Sequence, residues 1–232
     1  MASLSFSVVA DGAADATANS IVFEATHLVI AGWAGRDAAA VEHHIAELEA
    51  IGVKRPATIP CYYPLAPALL TTETVLSVPR ADSSGEVECV LLAATDGTMY
   101  VGIGSDHTDR VAEAYDVTVS KQMCAKPVSA TLWRFDDVAD HWDSLEMRCW
   151  RSQDGIRTKY QEGTTASLRD PRHLIEAYTG KTTLPVGTAM FCGTQAVIGQ
   201  LGHGDKFEME LHDPVLNRSL TLSYQVEALP VA

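Results

Sequence analysis

Residues 86–106 read EVECVLLAATDGTMYVGIGSD and decide the fold. Two apolar runs, at 86–95 and 99–104, flank Asp96-Gly97, a dipeptide typical of a tight hairpin turn. Because side chains alternate along a strand, Glu86 and Glu88 point to one face, and the returning strand brings Asp106 back beside them. Three converging carboxylates repel one another unless a cation neutralises them, and hard divalent cations prefer oxygen ligands. The hairpin therefore predicts a site for Mg2+, Mn2+ or Ca2+; the alternative is a solvated hairpin whose acids face water.

The composition limits the classes of partner. The 232 residues are 47% apolar and 20% charged, which predicts one large globular domain or two small ones. The net charge of −13 argues against nucleic acid and anionic membranes as partners. No apolar run is long enough to span a bilayer, and residues 1–6 lack the basic region of a secretory signal. The five scattered cysteines form no C-x-x-C, so we expect reduced thiols in a cytoplasmic protein without structural zinc.

Hydrophobic periodicity predicts more strands than helices along the chain. Strands are predicted at 3–9, 20–30, 86–95, 99–104, 126–135, 145–151, 156–161, 188–192, 206–212 and 219–229. Helices are predicted at 37–51, 136–143 and 170–179, while four prolines in 55–67 indicate irregular extended backbone. Since strands rarely alternate with helices, we expect an α+β, mainly β fold, a mixed-sheet roll or distorted barrel with a few covering helices.

Two further patterns are candidate functional elements. His44 and Glu47 lie three apart on the predicted helix, so the carboxylate can orient the imidazole as a water-activating base. The alternative is an ordinary pair on an exposed helix. Gly193-Thr194 ends a buried strand, where glycine permits close backbone approach to a ligand and threonine supplies donors. The alternative there is a glycine needed for packing.

Taken in order, these motifs resemble the fumarylacetoacetate hydrolase superfamily. Its members carry an H-x-x-E lid helix, a P-x-x-P-x-aromatic segment, an E-x-E strand, an N-D-x-S-A-R-D motif, a lysine before a proline-rich strand and a P-G-D-x-x-x-x-G-T turn. The matching positions here are His44 to Glu47, 56–63, Glu86 to Glu88, 105–110, Lys121, and 185–187 followed by Gly193-Thr194. The likeness covers about residues 28–226. Each motif is degenerate, and the likeness rests on their collinear order.

The resemblance implies a role for each matching residue. Glu86, Glu88 and Asp106 would hold a divalent cation, Mg2+ first, with Mn2+ or Ca2+ as alternatives. His44, Glu47 and Lys121 would be catalytic, the first two as the base on a short lid helix. The substrate pocket would include the residues Arg110, Glu113, Tyr63, Gln161 and Thr194, with core packing as the alternative for the tyrosine. Ser105, His107 and Glu113 depart from the family pattern, in which Asn, an apolar residue and Gln are usual.

The resemblance also implies the class of chemistry. We expect a metal-dependent hydrolase that cleaves a C–C bond of a small β-diketo acid, of acylpyruvase type. The alternatives are a 2-oxo acid lyase, either a decarboxylase or a dehydratase/hydratase, and a non-catalytic metabolite-binding module. The expected organisation is one catalytic domain over 1–232, with strands, lid helix and proline-rich segment in 1–72 and a metal-binding β-roll in 73–232. A homodimer is compatible with the resemblance.

Overall fold

The structure is a computed structural model and describes residues 2–9, 19–50 and 55–230, except for the side chains at positions 44, 47, 48 and 50. The strands are β1 Ala2–Val8, β2 Asn19–Ala25, β3 His27–Gly32, β4 Cys61–Leu65, β5 Leu70–Thr71, β6 Val75–Val78, β7 Ser83–Ser84, β8 Val87–Ala93, β9 Met99–Ser105, β10 Thr108–Asp109, β11 Lys126–Pro127, β12 Thr131–Arg134, β13 Glu146–Gln153, β14 Ile156–Thr164, β15 Thr188–Thr194, β16 Lys206–Asp213 and β17 Arg218–Ala228. The α-helices are α1 Ala38–Ala50, α2 Arg110–Tyr115, α3 Val117–Met123 and α4 Pro171–Thr179, and 3-10 turns occupy Pro67–Leu69, Phe135–Asp137, Ala139–Ser144 and Thr165–Ser167.

Two mixed sheets form the body of the fold. The larger has the order β2-β1-β12-β9-β8-β15-β3-β4, and the smaller has the order β14-β13-β16-β17-β6. Two-stranded ladders join β10 to β7 and β11 to β5. Most neighbours are antiparallel; the parallel pairs are β15 with β3 and β1 with β12 in the larger sheet, β17 with β6 in the smaller sheet, and the ladder of β11 with β5. The expected mainly β architecture is confirmed.

The central strands are buried on both faces. Every residue of β8 is buried, and its partner β9 is buried at every position except the partly exposed Met99. One apolar cluster extends from Cys89 and Val101 in the larger sheet to Met147 and Phe207 in the smaller one. A strand covered on both faces reads as a continuous apolar run, which is why residues 87–93 show little alternation.

Two long strands predicted from the sequence are each divided in the structure. The run 20–30 breaks at Thr26, because the chain there leaves β1 and joins β15. The carbonyl of Gly187 accepts from the N–H groups of both Thr26 and His27. The run 126–135 breaks after Pro127, where Val128 donates to Thr71 at 2.8 Å before the chain reaches β12.

The helices α2 and α3 are absent from the sequence-based expectation. The β-branched residues between 111 and 119 lower the helix propensity of this segment, so the sequence pattern does not indicate a helix there. Each is instead capped by an aspartate: Asp109 accepts from Ala112 N–H at 2.8 Å, and Asp116 accepts from Val119 N–H at 3.0 Å. Among the described residues, no helix is both long and apolar enough to cross a bilayer.

Candidate metal centre

The hairpin places three carboxylates at one end of the larger sheet. Glu86 precedes β8, Glu88 is its second residue, and Asp106 follows β9. Pairing of Val87 with Ser105 sets the register, and the Asp106 N–H donates to the Glu86 carbonyl at 3.0 Å. One oxygen from each carboxylate lies within 4.8 Å of the other two. The structure therefore brings together the three carboxylates that the sequence predicted as metal ligands.

Glu88 is the carboxylate with the least compensation. It is 2% exposed and accepts a hydrogen bond from the Gly193 N–H at 2.8 Å. Within the described ranges, no Lys, Arg or His lies within ion-pair distance of it. Burial raises the pKa of Glu88 well above its ordinary value, and the nearby charges of Asp106 and Glu86 raise it further. A cation among these oxygens would relieve both effects, so the donor set fits a hard divalent ion.

Asp106 is held by two lysines, one on each oxygen. The Lys121 Nζ contacts Oδ2, and the Lys126 Nζ lies 3.0 Å from Oδ1. Burial alone would raise the pKa of Asp106, but the two ammonium groups lower it overall, so the aspartate is ionised. Lys126 is fully buried and was missed by the sequence reasoning, although it directly precedes Pro127 and so also fits a lysine before a proline-containing strand.

Arg110 fixes the position of Glu86. It begins α2, and its guanidinium lies 2.9 Å from Glu86 Oε1 and 2.7 Å from Glu113 Oε2. Its Nε donates to Ser84 Oγ at 2.7 Å. Burial raises the pKa of Glu86, although Arg110 and Lys121 oppose that rise. Arg110 and Glu113 therefore lie beside the carboxylate cluster. The Arg110 guanidinium is paired with both Glu86 and Glu113, and Glu113 is paired with Arg110.

Two of the three departures from the superfamily pattern, Ser105 and His107, belong to one buried network. The Tyr224 hydroxyl lies 2.8 Å from Ser105 Oγ and 3.0 Å from His107 Nδ1. His107 Nε2 lies 2.9 Å from Ser83 Oγ, and Ser105 Oγ accepts from the Glu86 N–H at 3.2 Å. Burial, with repulsion from nearby Lys126 and Arg110, lowers the pKa of His107 to about 3. A neutral polar network therefore supports the backbone that carries Glu86 and Asp106.

Gln161 and Thr194 hydrogen-bond to the backbone of β8 at Val87. Gln161 accepts from the Val87 N–H at 2.9 Å and donates to Thr194 Oγ1 at 2.8 Å. Thr194 Oγ1 donates to the Val87 carbonyl at 2.8 Å. These side-chain bonds stand in for the regular β8–β15 ladder, whose register shifts between Phe191 and Thr194. Both residues therefore bond to Val87, the residue between Glu86 and Glu88, and their polar atoms are engaged by protein partners.

The Gly193 backbone has a specific role in this bulge. Its φ is +98°, a conformation that favours glycine. A Cβ there would lie 2.6 Å from the Cβ of Ala34. This conformation presents the N–H that binds Glu88.

The remaining predicted site residues are Tyr63 and the two residues of the predicted base on helix α1. Tyr63 is on β4, is 9% exposed, and its ring centroid lies 5.7 Å from Lys121 Nζ. Helix α1 forms as predicted, and Asp37 Oδ1 accepts from the N–H groups of Ala39 and Ala40 at its start. Positions 44 and 47 are within this helix, but the side chains of His44 and Glu47 lie outside the described part of the chain.

Solved structures share this architecture. Cg1458 aligns with a TM-score of 0.64 and 15% identity over 90% of this chain and 80% of its own. A 2-keto-3-deoxy-D-arabinonate dehydratase complexed with magnesium and 2,5-dioxopentanoate aligns with a TM-score of 0.62 and 14% identity over 91% of this chain and 77% of its own. The 4-oxalocrotonate decarboxylase from Pseudomonas putida G7, complexed with magnesium and adipate, aligns with a TM-score of 0.56 and 13% identity over 88% and 78%. These solved structures have the fold of the fumarylacetoacetate hydrolase superfamily. The chain therefore has the same fold, as the sequence motifs predicted.

Sequence comparison gives the family. No curated protein matches the sequence. The model of the family described as "Protein of unknown function (DUF2848)" matches residues 31–224, a span that contains all three carboxylates of the candidate metal centre. Because this match covers most of its length, the chain belongs to the DUF2848 family.

Proposed function

We propose that this protein is a divalent-metal-dependent lyase that acts on a small 2-oxo acid. The observation that carries the proposal is the cluster of Glu86, Glu88 and Asp106: one oxygen of each lies within 4.8 Å of the other two, and the buried Glu88 has no ion-pair partner among the described residues. Mg2+ is the expected ion, since an all-oxygen carboxylate set suits it and two solved structures of this fold carry magnesium.

A cation held there would polarise the oxo group of the substrate and stabilise the negative charge that develops next to it. The side chains around it have separate tasks. Arg110 and Lys126 hold Glu86 and Asp106 in place. Lys121 offers an ammonium that can pair with the substrate carboxylate or with the developing oxyanion. Tyr63 supplies an aromatic wall beside that ammonium.

The lyase class is favoured by the similar structures, which include a dehydratase and a decarboxylase.

A hydrolase of a β-diketo acid is the second candidate, and it is favoured by the H-x-x-E pattern on α1. His44 and Glu47 at those positions could deprotonate a water for attack on a carbonyl. A non-catalytic binding module has less support, because a mere binder has little need for an ammonium and a base beside three carboxylates.

Metal analysis combined with a substrate panel tests the proposal. Purified protein is analysed for bound elements and assayed with 2-oxo-3-deoxy sugar acids, oxaloacetate and acylpyruvates. We expect Mg2+- or Mn2+-dependent turnover that EDTA abolishes and added metal restores. Metal binding without turnover of any compound would instead support the binding module.

A variant at His44 separates the two enzymatic candidates. If the protein is a hydrolase, His44→Ala lowers turnover by about 10^2 to 10^4, the usual contribution of general-base catalysis, and leaves metal binding intact. His43→Ala, at the exposed preceding position, is the matched control. Hydrolysis at the wild-type rate in His44→Ala would exclude the base, while dehydration or decarboxylation that survives it supports the lyase.

A further inference from the structure

Both oxygens of Asp106 already contact an ammonium group. Lys121 Nζ contacts Oδ2, while Lys126 Nζ lies 3.0 Å from Oδ1. A divalent ion that binds through either oxygen of Asp106 therefore competes with a lysine ammonium already on that oxygen. This inference rests on the proposed function, because it concerns how the metal enters the same centre.

The formal charges of the centre are nearly balanced without a metal. With every carboxylate ionised, as metal binding requires, four negative charges face one arginine and two lysines; the carboxylates are Glu86, Glu88, Asp106 and Glu113, and the cations are Arg110, Lys121 and Lys126. One excess negative charge remains. A divalent ion would turn that into an excess positive charge in a buried site, where unbalanced charge is costly. Withdrawal of one ammonium restores the balance.

The two lysines differ in how firmly they are held. Lys126 is fully buried at the start of β11, and its Nζ also donates to the His107 carbonyl at 2.5 Å. Lys121 lies in the last turn of the short helix α3, and it is 6% exposed. Its Nζ lies 3.8 Å from Glu86 Oε2 and 5.7 Å from the centroid of the Tyr63 ring. The ammonium on Asp106 is thus already within the distance of about 6 Å at which rings attract cations, so the Tyr63 face can hold it when it leaves the carboxylate.

We propose that Lys121 is an exchangeable internal cation of the metal centre. It neutralises Asp106 and Glu86 while the divalent ion is absent, and it leaves Asp106 Oδ2 for the Tyr63 side when the ion binds. Lys126 stays on Oδ1 in both states. The released ammonium is then available to pair with the substrate carboxylate, so that loading of the metal also completes the substrate site.

Calorimetric titration with MgCl2 and MnCl2 tests this proposal in the wild type and in two variants. Lys121→Met removes the resident cation, so we expect metal to bind about tenfold tighter or more, a change of the size seen when groups next to metal ligands are altered. The melting temperature of the metal-free variant should fall. Lys159→Met is the matched control, because it removes the same charge from an exposed lysine paired with Glu162, and its affinity should equal that of the wild type.

The outcomes separate this inference from the proposed function. Equal or weaker metal binding by Lys121→Met, with metal bound by the wild type, overturns the exchange and leaves the metal enzyme standing. Metal bound by Lys121→Met but not by the wild type supports the competition and contradicts the proposed resident metal. If neither binds metal, both ideas fail.

A second measurement on the unmodified protein covers the case in which Lys121→Met does not fold. Lysines are acetylated briefly with and without saturating Mg2+, and the modified residues are identified by mass spectrometry. We expect Lys121 to become more reactive when metal is present, because it loses its carboxylate partner, while Lys126 stays protected. A Lys121 that is equally protected in both conditions would overturn the proposal.

Discussion

Replacement of Glu88 by glutamine should stabilise the metal-free protein and abolish its stabilisation by metal. The Glu88 carboxylate is 2% exposed, and burial followed by repulsion from Asp106 and Glu86 raises its pKa. An amide in its place carries no charge, can still accept from the Gly193 N–H, and can donate to the neighbouring carboxylates. The substitution therefore removes a repulsion that the fold carries when no cation is bound.

The size of the effect follows from proton linkage. The unfolded chain ionises Glu88 near its ordinary pKa of 4.5, whereas the folded state resists ionisation, so the penalty is absent below that pH and grows above it. The penalty grows by about 1.4 kcal/mol for each pH unit above the ordinary pKa, so at pH 7 it is on the order of a few kcal/mol at most. We expect a gain of about 1 to 3 kcal/mol in the free energy of unfolding, or about 3–10 °C in melting temperature for a chain of this size.

Thermal melts in EDTA at pH 5, 6, 7 and 8 measure the gain, with Glu227→Gln at an exposed position as the control. The gain for Glu88→Gln should be smallest at pH 5 and should rise with pH, while the control stays near the wild type. With MgCl2 present, the melting temperature of the wild type should rise and that of Glu88→Gln should not. A metal-free Glu88→Gln that melts below the wild type at pH 7 would refute the reasoning.

Three other variants test the groups around the cluster. Asp106→Asn removes the anion between two buried lysines, so the free energy of unfolding in urea should fall by about 3–5 kcal/mol and Mg2+ binding should be lost; full metal occupancy would refute the ligand assignment. In Arg110→Lys, the ammonium cannot bridge Glu86 and Glu113 as the planar guanidinium does, so we expect about tenfold weaker Mg2+ binding by calorimetry. An unchanged affinity would show that other groups position Glu86. Gln161→Leu leaves the buried N–H of Val87 without its acceptor, so stability should fall by about 2–3 kcal/mol with KM unchanged; a raised KM at unchanged stability would instead place Gln161 in the substrate pocket.

The parts of the fold that depend on neighbouring residues could be predicted from the sequence. Asp96-Gly97 between two apolar runs fixes the hairpin and its register, and the register brings Glu86, Glu88 and Asp106 together. Helix α4 is found where the sequence predicts a helix over 170–179; it begins one residue later, at Pro171, with Asp170 as its cap. Short-range pattern and turn chemistry decide these features, so no knowledge of distant residues is needed.

The remaining features depend on residues far apart in the sequence. The break between β2 and β3 is set by the carbonyl of Gly187, about 160 residues away from Thr26. The network of His107 depends on Tyr224, 117 residues later. Lys126 reads as an ordinary lysine before a proline, and only the folded chain shows its ammonium on Asp106. Buried polar partners of this kind leave no periodic signal, which is why sequence reasoning missed them.

The central claim is that Glu86, Glu88 and Asp106 bind a divalent cation. A crystal grown with saturating MnCl2 and measured at a wavelength where manganese scatters anomalously tests this claim most directly. We expect one strong anomalous peak at about 2.0–2.3 Å from an oxygen of each of the three carboxylates. A map with no peak between these side chains would contradict it.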